Sequence, residues 1–316
     1  MIAMVMGFPA SGKSTLTKQL EAKGYRVLNR DTEGGSMSGL LEKFKAALAD
    51  QTPIVLDNTF CTVEDRKPFI EAAKAAGRGM TCWWLATRAE DAQINALNRM
   101  WDRYGQVFMS ADAIKNSSAS KDPNIFPAAA IFSYKKRFEK PTMGEGFALI
   151  QKMDFVRLPG KGTKKALILD YDGTLRRDAK ELGGEFHYPV KPEQVEILPN
   201  RTPVLERYKA QGYLLLGAST QSGIAKGHLT DREAMACFAK TNALLGVDIE
   251  FTFCPHGSFP VACYCRKPQA GLGVYLIRKY DLNPADCIMV GDLTTDRTFA
   301  ERLGFQFRHA DEFFKE

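Results

Sequence analysis

A chain of 316 residues is too long for one ordinary hydrophobic core and suits two domains of roughly 150 residues each. With 45% hydrophobic residues, 25% charged residues and a net charge of +6, the composition is that of an ordinary globular protein. No stretch approaches the ~20 apolar residues that span a bilayer. Seven cysteines without a recognisable export signal favour a reducing, cytoplasmic location and argue against a disulfide framework.

Short apolar strands alternate with helical stretches through the first half of the chain. Strands are predicted at Ile2–Met6, Tyr25–Asn29, Pro53–Asp57 and Met80–Ala86, and helices at Lys13–Lys23, Met37–Leu48, Val63–Ala76 and Ala89–Arg99. This alternation predicts a parallel sheet covered on both faces. The polar stretch from Arg99 to about Phe126 is typical of a mobile loop or lid.

The segment LPGKGTKK, residues 158–165, is the best candidate for a linker because it combines two glycines, a proline and three lysines. After it the α/β alternation restarts, with strands predicted at Ala166–Asp170, Tyr213–Ala218, Ile249–Cys254 and Cys287–Asp292. The sequence therefore predicts an α/β protein of two doubly wound parallel-sheet domains, residues 1–157 and 166–316.

A phosphate-binding loop follows the first predicted strand. Residues 7–14 read GFPASGKS, a complete G-x-x-x-x-G-K-[ST] pattern. Gly7 and Gly12 let the backbone N–H groups surround phosphate, Lys13 faces the outer phosphates, and the Ser14 hydroxyl, next to Thr15, is expected to coordinate Mg²⁺. The pattern predicts binding of a nucleoside triphosphate, taken here to be ATP, at the start of a helix.

Two aspartates end the next strands. Asp31 lies in NRDT and Asp57 lies in IVLDNT. Since ligands gather at the carboxyl ends of parallel strands, both carboxylates are expected to face the phosphates, and one is expected to accept a proton from the attacking hydroxyl. A helix cap or turn residue is the alternative for Asp31, and a metal-orienting carboxylate is the alternative for Asp57.

These motifs, with RFEKPTMGEGF at residues 137–147, resemble the kinase domain of polynucleotide kinase-phosphatases over most of residues 1–157. The resemblance implies that Asp31 is the general base toward a nucleic-acid 5′-hydroxyl and that Asp57, with Asn58 and Thr59, holds the acceptor. It also implies a lid arginine on the donor phosphates, for which Arg99 is the candidate and Arg103 the next. Some members carry an arginine shortly after the catalytic aspartate, whereas this chain reads DTEGGS there.

The second half resembles the haloacid-dehalogenase (HAD) phosphatases, with their four motifs in order. In DYDGT, Asp170 would be the nucleophile and Asp172 would protonate the leaving oxygen and then activate water. Phosphate contacts would come from Ser219, with Thr220 as competitor, and from Lys267 in CRKP. In VGDLTTD, Asp292 would bind Mg²⁺ together with Asp170 and the Asp172 carbonyl, and Asp296 would support the acidic cluster.

A C-P-H-x6-C-Y-C pattern precedes CRKP and contains Cys254, His256, Cys263 and Cys265. Thiolate and imidazole are preferred zinc ligands, and four of them close a tetrahedral structural site. The pattern resembles the zinc loop of the histidinol-phosphate and heptose-bisphosphate phosphatase branch. Ordinary reduced cysteines are the alternative.

Together these features predict an enzyme that repairs the ends of DNA or RNA, phosphorylating 5′-hydroxyls from ATP and removing 3′-phosphates, with a ligase as its pathway partner and no membrane. A small-molecule kinase fused to a metabolite phosphatase is the alternative. A third hypothesis is an end-binding module without catalysis, but every expected catalytic carboxylate and lysine is present in both halves.

Overall fold

A computed structural model of the chain describes residues 1–30, 35–158, 160–259 and 262–315. The chain forms two compact units, Met1–Ala96 with Lys121–Arg157, and Leu97–Ser120 with Leu158–Glu316. No helix within the described ranges is both long enough and apolar enough to cross a membrane.

The first unit is built on five parallel strands in the order β2-β3-β1-β4-β5. These strands are β1 Ile2–Gly7, β2 Arg26–Asn29, β3 Ile54–Asp57, β4 Met80–Leu85 and β5 Leu149–Met153. The helices are α1 Lys13–Glu21, α2 Met37–Ala47, α3 Val63–Ala75, α4 Ala89–Tyr104, which continues into the second unit, and α6 Ala128–Arg137. Because β1 is buried throughout and central, its carboxyl end opens at the middle of the sheet edge.

Hydrophobic clusters cover both faces of this sheet. Met4, Leu56 and Phe69 belong to the larger cluster, whereas Val5 and Leu16 belong to the smaller one on the other face. Alternate residues of β1 point to opposite faces, so a continuous apolar run is what a strand covered on both sides requires.

The second unit contains a second five-stranded parallel sheet, in the order β10-β9-β6-β7-β8. Its strands are β6 Ala166–Leu169, β7 Leu214–Thr220, β8 Glu250–Cys254, β9 Ile288–Gly291 and β10 Gln306–His309. Its helices are α5 Ala111–Lys115, α7 Arg201–Ala210, α8 Ser222–Ala225, α9 Asp231–Leu245, α10 Gly271–Tyr280, α11 Thr294–Leu303 and α12 Ala310–Phe313. The prediction of two parallel-sheet α/β domains is confirmed.

The prediction of an irregular stretch directly after Arg99 is wrong, because α4 continues to Tyr104. Leu97 and Met100 are fully buried, so the apolar spacing of the helix continues past the predicted end. The edge strand β10 was also not predicted; it is short and only half-buried, which weakens its pattern in the sequence.

Residues 97–120 group with the second unit, although they lie within the predicted first domain, residues 1–157. The Tyr264 N–H donates to the Met109 carbonyl at 2.8 Å, and the rings of Trp101 and Tyr275 lie 6.2 Å apart. These contacts join residues far apart in the chain, which local pattern does not reveal. The assignment of functional domains to residues 1–157 and 166–316, with the linker between them, stays a prediction.

Candidate active sites

The phosphate loop runs from the end of β1 to the start of α1. Its backbone enters left-handed conformations at Gly7, with φ of 148°, at Ala10, with φ of 62°, and at Gly12, with φ of 97°. A Cβ on Gly7 would lie 2.8 Å from the carbonyl oxygen of Leu85 on β4. Glycine at position 7 is therefore required by space as well as by backbone angle.

Side chains of the first unit fix the carbonyl groups of this loop. The Asn95 amide donates to the Ala10 carbonyl at 2.9 Å, and the Thr87 hydroxyl donates to the Ser11 carbonyl at 3.0 Å. These two hydrogen bonds satisfy the Ala10 and Ser11 carbonyls from outside the loop and fix the conformation of its backbone.

Lys13 lies over the loop that precedes it. Its Nζ donates to the carbonyls of Phe8 at 2.7 Å and Gly7 at 3.1 Å. Ser14 and Thr15 are exposed in the first turn of α1. Because these polar groups sit at one helix N-terminus, the loop presents a positive surface suited to phosphate.

The Asp57–Asn58–Thr59 segment packs against the same loop. The Gly7 N–H donates to the Thr59 carbonyl at 3.4 Å, and Asp57 Oδ2 accepts a hydrogen bond from the Thr17 hydroxyl at 3.0 Å. Asp57 is buried, and Thr17 lies three residues after Ser14, hence on the same side of α1. This contact favours the metal-orienting alternative for Asp57 over direct contact with the acceptor, and both roles stay predictions.

Two residues predicted for this site are not placed with it. Asp31 lies outside the described residues, so its role as general base stays a prediction. Arg99 lies in the part of α4 that groups with the second unit. In the second unit the charge of Arg99 acts on Tyr264: burial raises the pKa of the Tyr264 hydroxyl, and the positive charge of Arg99 opposes this rise.

In the second unit, three carboxylates meet at the carboxyl edge of the sheet. Asp170 follows β6, Asp292 follows the neighbouring β9, and Asp296 lies in the first turn of α11. One oxygen from each lies within 4.8 Å of the others. A Cβ on Gly173 would lie 2.4 Å from Asp292 Oδ2, so the DGT turn closes directly on this carboxylate.

Lys267 enters the carboxylate cluster formed by these three side chains. Its Nζ lies 2.8 Å from Asp170 Oδ1 and 2.6 Å from Asp296 Oδ1, and all three groups are buried. Burial raises the pKa of Asp170 to about 7, although the charge of Lys267 opposes the rise. Burial also favours a neutral Lys267, but the two carboxylates outweigh it and raise its pKa.

Three oxygen ligands in a buried, negatively charged cluster fit a Mg²⁺ ion, which prefers carboxylates. Burial also raises the pKa of Asp292, with a backbone hydrogen bond opposing the rise. A divalent cation would stabilise the ionised form of both carboxylates, which is the form that a nucleophilic Asp170 requires.

Asp172 lies beside this cluster on the DGT turn and makes two charge-assisted contacts. Its Oδ1 accepts from Arg176 Nε at 2.7 Å, and its Oδ2 accepts from the Gln221 amide at 2.8 Å. Gln221 also donates to the Ser219 hydroxyl at 3.0 Å. Within the described chain the Thr220 hydroxyl is buried without a hydrogen-bond partner, so which hydroxyl meets phosphate stays a prediction.

The predicted zinc ligands converge at the end of β8. Cys254, His256, Cys263 and Cys265 each offer one atom, and these atoms all lie within 4.8 Å of one another. The three thiols are buried. Hydrogen bonding from Cys254 holds the pKa of the Cys263 thiol far below its usual value, which favours a thiolate in the cluster.

The distances in this cluster fit a tetrahedral zinc ion. Zn–S bonds of about 2.3 Å at tetrahedral angles place two thiolates about 3.8 Å apart, and a thiolate and an imidazole about 3.5 Å apart. Cys254 Sγ lies 3.8 Å from Cys263 Sγ and 3.5 Å from His256 Nδ1. His256 Nδ1 lies 3.2 Å from Cys265 Sγ, somewhat closer than the tetrahedral value. The four side chains could hold a metal ion, and zinc at this cluster stays a prediction. The other cysteines, Cys61, Cys82, Cys237 and Cys287, are buried free thiols.

Several residues of the two sites were not identified from the sequence. Thr17 and Thr87 support the phosphate loop, whereas Arg176 and Gln221 hold Asp172. The three-residue spacing from Ser14 to Thr17 on a predicted helix is the available signal for Thr17. Thr87 and Gln221 come from other elements, and no local pattern identifies them.

Comparison with known proteins finds a different family match in each half of the chain. Residues 2–139 match the AAA domain family, and residues 264–308 match the HAD-hydrolase-like family. A D-glycero-beta-D-manno-heptose-1,7-bisphosphate 7-phosphatase of Pasteurella multocida is 32% identical over 142 residues, covering 42% of this chain and 73% of that protein. A probable D-glycero-D-manno-heptose-1,7-bisphosphate 7-phosphatase of Thermoplasma volcanium is 31% identical over 149 residues, covering 46% of this chain and 97% of that protein.

A third relative combines two activities in its name. The bifunctional polynucleotide phosphatase/kinase of Schizosaccharomyces pombe is 30% identical over 158 residues, which cover 49% of this chain and 33% of that protein. The chain therefore joins a P-loop kinase domain to a HAD-like phosphatase domain.

Proposed function

The chain belongs to the HAD-like phosphatase family that includes the heptose-bisphosphate phosphatases, and from its fusion to a P-loop kinase domain we propose that it is a nucleic-acid end-healing enzyme. It phosphorylates 5′-hydroxyl ends from ATP and hydrolyses 3′-phosphate ends. The observation that supports this proposal is that one chain contains both the loop at Gly7–Ser14 and the carboxylate cluster with Lys267, each a candidate phosphate site.

The phosphatase reaction follows from the carboxylate cluster. Asp170 attacks phosphorus, a P–O bond forms to its carboxylate, and the bond from phosphorus to the 3′-oxygen breaks. Asp172 supplies the proton that the leaving 3′-oxygen takes, and then removes a proton from the water that hydrolyses the aspartyl-phosphate. Lys267, whose Nζ lies 2.8 Å from Asp170 Oδ1, neutralises phosphate charge. Mg²⁺ held by Asp170, Asp292 and the Asp172 carbonyl would reduce repulsion between the carboxylates and the phosphate.

The kinase reaction uses the loop mainly for positioning and charge. The N–H groups of the loop hold the β- and γ-phosphates of ATP, and Lys13 exchanges its carbonyl contacts at Gly7 and Phe8 for phosphate oxygens. Mg²⁺ at Ser14 would complete the charge balance. Asp31 accepts the proton of the 5′-hydroxyl, the γ-phosphorus bonds to that oxygen, and ADP leaves.

A polynucleotide substrate is supported by the S. pombe relative, whose name states both activities. The products, a 5′-phosphate and a 3′-hydroxyl, are the ends that a ligase joins, so a ligase is the proposed pathway partner. The basic excess of +6 suits a polyanion. Action in the cytoplasm remains part of this proposal.

The zinc cluster and the heptose-bisphosphate relatives favour a second candidate function, a metabolite phosphatase fused to a small-molecule kinase. In that case the carboxylate cluster of Asp170, Asp292 and Asp296 would hydrolyse a sugar phosphate instead of a 3′-phosphate end.

One substrate distinguishes the candidates. An oligonucleotide with a 5′-hydroxyl and a 3′-phosphate is incubated with ATP and Mg²⁺, and both ends are analysed by mass spectrometry. Wild type is expected to change both ends, Asp31→Ala only the 3′ end, and Asp170→Asn only the 5′ end. An unchanged oligonucleotide alongside rapid hydrolysis of heptose 1,7-bisphosphate would replace the proposal with the metabolite fusion.

A further inference from the structure

Asp172 is held by both of its carboxylate oxygens. Arg176 Nε donates to Oδ1 at 2.7 Å, and the Gln221 amide donates to Oδ2 at 2.8 Å. The two donors come from different elements, since Arg176 follows the DGT turn and Gln221 follows β7. A carboxylate fixed at both oxygens has little freedom to rotate, although the side chain of Asp172 remains 20% exposed.

Arg176 is itself fixed in the interior of the unit. Its residue is 1% exposed, and its Nη1 donates to the Thr241 hydroxyl at 3.2 Å. The guanidinium carbon lies 5.0 Å from the ring centre of Phe238 and 5.5 Å from that of Tyr171. An arginine packed against two rings is oriented by them, so its guanidinium group presents its N–H donors to Asp172 in a defined direction.

The loop that joins the two residues is also closed by the backbone. The Gly173 N–H donates to the Arg176 carbonyl at 2.9 Å, and the Arg176 N–H donates to the Tyr171 carbonyl at 3.0 Å. The loop thus keeps its shape through contacts that a change of the Arg176 side chain leaves in place.

We propose that Arg176, assisted by Gln221, is a positioning residue that aims the Asp172 carboxyl group at the leaving oxygen and then at water. This inference rests on the phosphatase part of the proposed function. Proton transfer needs its donor within hydrogen-bond reach of a defined atom, so a carboxyl group that is free to rotate transfers the proton poorly. Arg176 does not touch the substrate; it acts through Asp172.

The leaving group provides the test. An alkyl phosphate ester, such as a 3′-phosphorylated oligonucleotide or glycerol phosphate, expels a strongly basic oxygen and needs the proton from Asp172. p-Nitrophenyl phosphate expels a stabilised phenolate and needs it far less. In the full chain with Mg²⁺, Arg176→Met is expected to lower kcat/KM on the alkyl ester about 100-fold and on the aryl ester only a few-fold. The comparison uses kcat/KM because this constant covers the steps up to departure of the leaving group, whereas kcat also includes the attack of water on the aspartyl-phosphate, which is common to both esters.

A matched control comes from a second buried arginine, which starts helix α7 and contacts the same turn. Arg201 is 8% exposed, donates to the Thr174 carbonyl at 2.9 Å and lies over the Phe314 ring. Arg201→Met removes a comparable buried charge, so it is expected to affect both esters by the same factor. Arg176→Lys, which keeps a cation near Asp172, is expected to recover part of the alkyl-ester rate.

The inference would be overturned if Arg176→Met lowered kcat/KM equally on both esters. It would also be overturned if Arg201→Met lowered kcat/KM on the alkyl ester more than on the aryl ester to the same extent as Arg176→Met. Failure of the polynucleotide proposal gives a different result. Wild type would then hydrolyse glycerol phosphate and p-nitrophenyl phosphate but not the oligonucleotide, and the Arg176 comparison would proceed on the two small esters. A wild type inactive on every ester overturns both proposals.

Discussion

The phosphate loop of the first unit is built largely from backbone, whereas the carboxylate cluster of the second unit is built from charged side chains. The loop depends on left-handed conformations at Gly7, Ala10 and Gly12, and its one cation, Lys13, rests on loop carbonyls. In the cluster, Lys267 is buried between carboxylates and its charge is needed even without substrate. Backbone sites are therefore sensitive to added atoms, and side-chain sites are sensitive to lost charge.

The largest expected difference is in the loss of stability when the lysine of each site, Lys267 or Lys13, is replaced. Lys267→Met leaves the buried carboxylates of Asp170 and Asp296 without their cation, so phosphatase activity is expected to fall about 10³-fold and the unfolding free energy by about 3 kcal/mol. Lys13→Met is expected to abolish kinase activity with a smaller loss of stability, because the Lys13 amine is only partly buried and donates to the carbonyls of Phe8 and Gly7. Both activities and a denaturant titration check the pair; equal stability losses would contradict the comparison.

The cluster of Cys254, His256, Cys263 and Cys265, which is predicted to bind zinc, is also built from side chains. Cys263→Ser, or treatment with a chelator that removes tightly bound zinc, is expected to lower phosphatase activity at least about tenfold and to leave kinase activity unchanged. Cys263 lies four residues before Lys267, so loss of the metal releases the segment that positions this lysine. Metal analysis of wild type is expected to find one zinc per chain.

Cys237→Ser serves as the matched control, because Cys237 is a buried thiol outside the cluster. It should retain both the metal and the activity. Phosphatase activity that survives complete removal of zinc would count against the structural role of the cluster.

Glycine-to-alanine substitutions test how sensitive the backbone of each site is to an added methyl group. Gly7→Ala places a Cβ 2.8 Å from the Leu85 carbonyl oxygen at φ of 148°, so a stability loss of about 1–3 kcal/mol and loss of kinase activity are expected. Gly173→Ala places one 2.4 Å from Asp292 Oδ2 and is expected to affect only the phosphatase.

Gly24→Ala and Gly227→Ala control for backbone strain alone. Both glycines have positive φ, of 86° and 73°, and neither Cβ would meet an atom within 4 Å. Each is expected to cost about 1 kcal/mol without change in either activity. Thermal melting and both assays check the four variants.

The least direct test of the comparison is a pH dependence of stability. Burial raises the pKa of Asp170 from 3.8 to about 7, so without metal the folded state holds a proton that the unfolded chain has released. The contribution to stability is full below about pH 4 and is lost as the pH rises toward 7. Denaturant titrations in EDTA between pH 5 and 8 should show this decline, and Mg²⁺ should flatten it.

Asp170→Asn removes the titrating group and should remove the same part of the pH dependence. A decline that persists unchanged in Asp170→Asn would mean that another group causes it.

Much of this protein follows from local sequence pattern. The alternation of short apolar strands and helices predicted both parallel sheets, and the loop GFPASGKS and the turn DYDGT predicted where phosphate groups bind. The strands, the loop and the turn can be predicted in this way because each depends on a few consecutive residues. Those residues set the local backbone angles and place the carboxylates at the strand ends. The convergence of Cys254, His256, Cys263 and Cys265 also follows from close spacing around one loop.

Tertiary structure decided what distant residues do to one another. The pairing of Lys267 with Asp170 and Asp296, the contact of Gln221 with Asp172 and the grouping of residues 97–120 with the second unit join segments separated by long stretches of chain. Arg176 stands four residues from Asp172, yet only burial against Phe238 and Tyr171 makes that contact persistent. Sequence alone determined the chemical groups and their local order, whereas folding determined their burial, and burial sets the strength of a charge interaction.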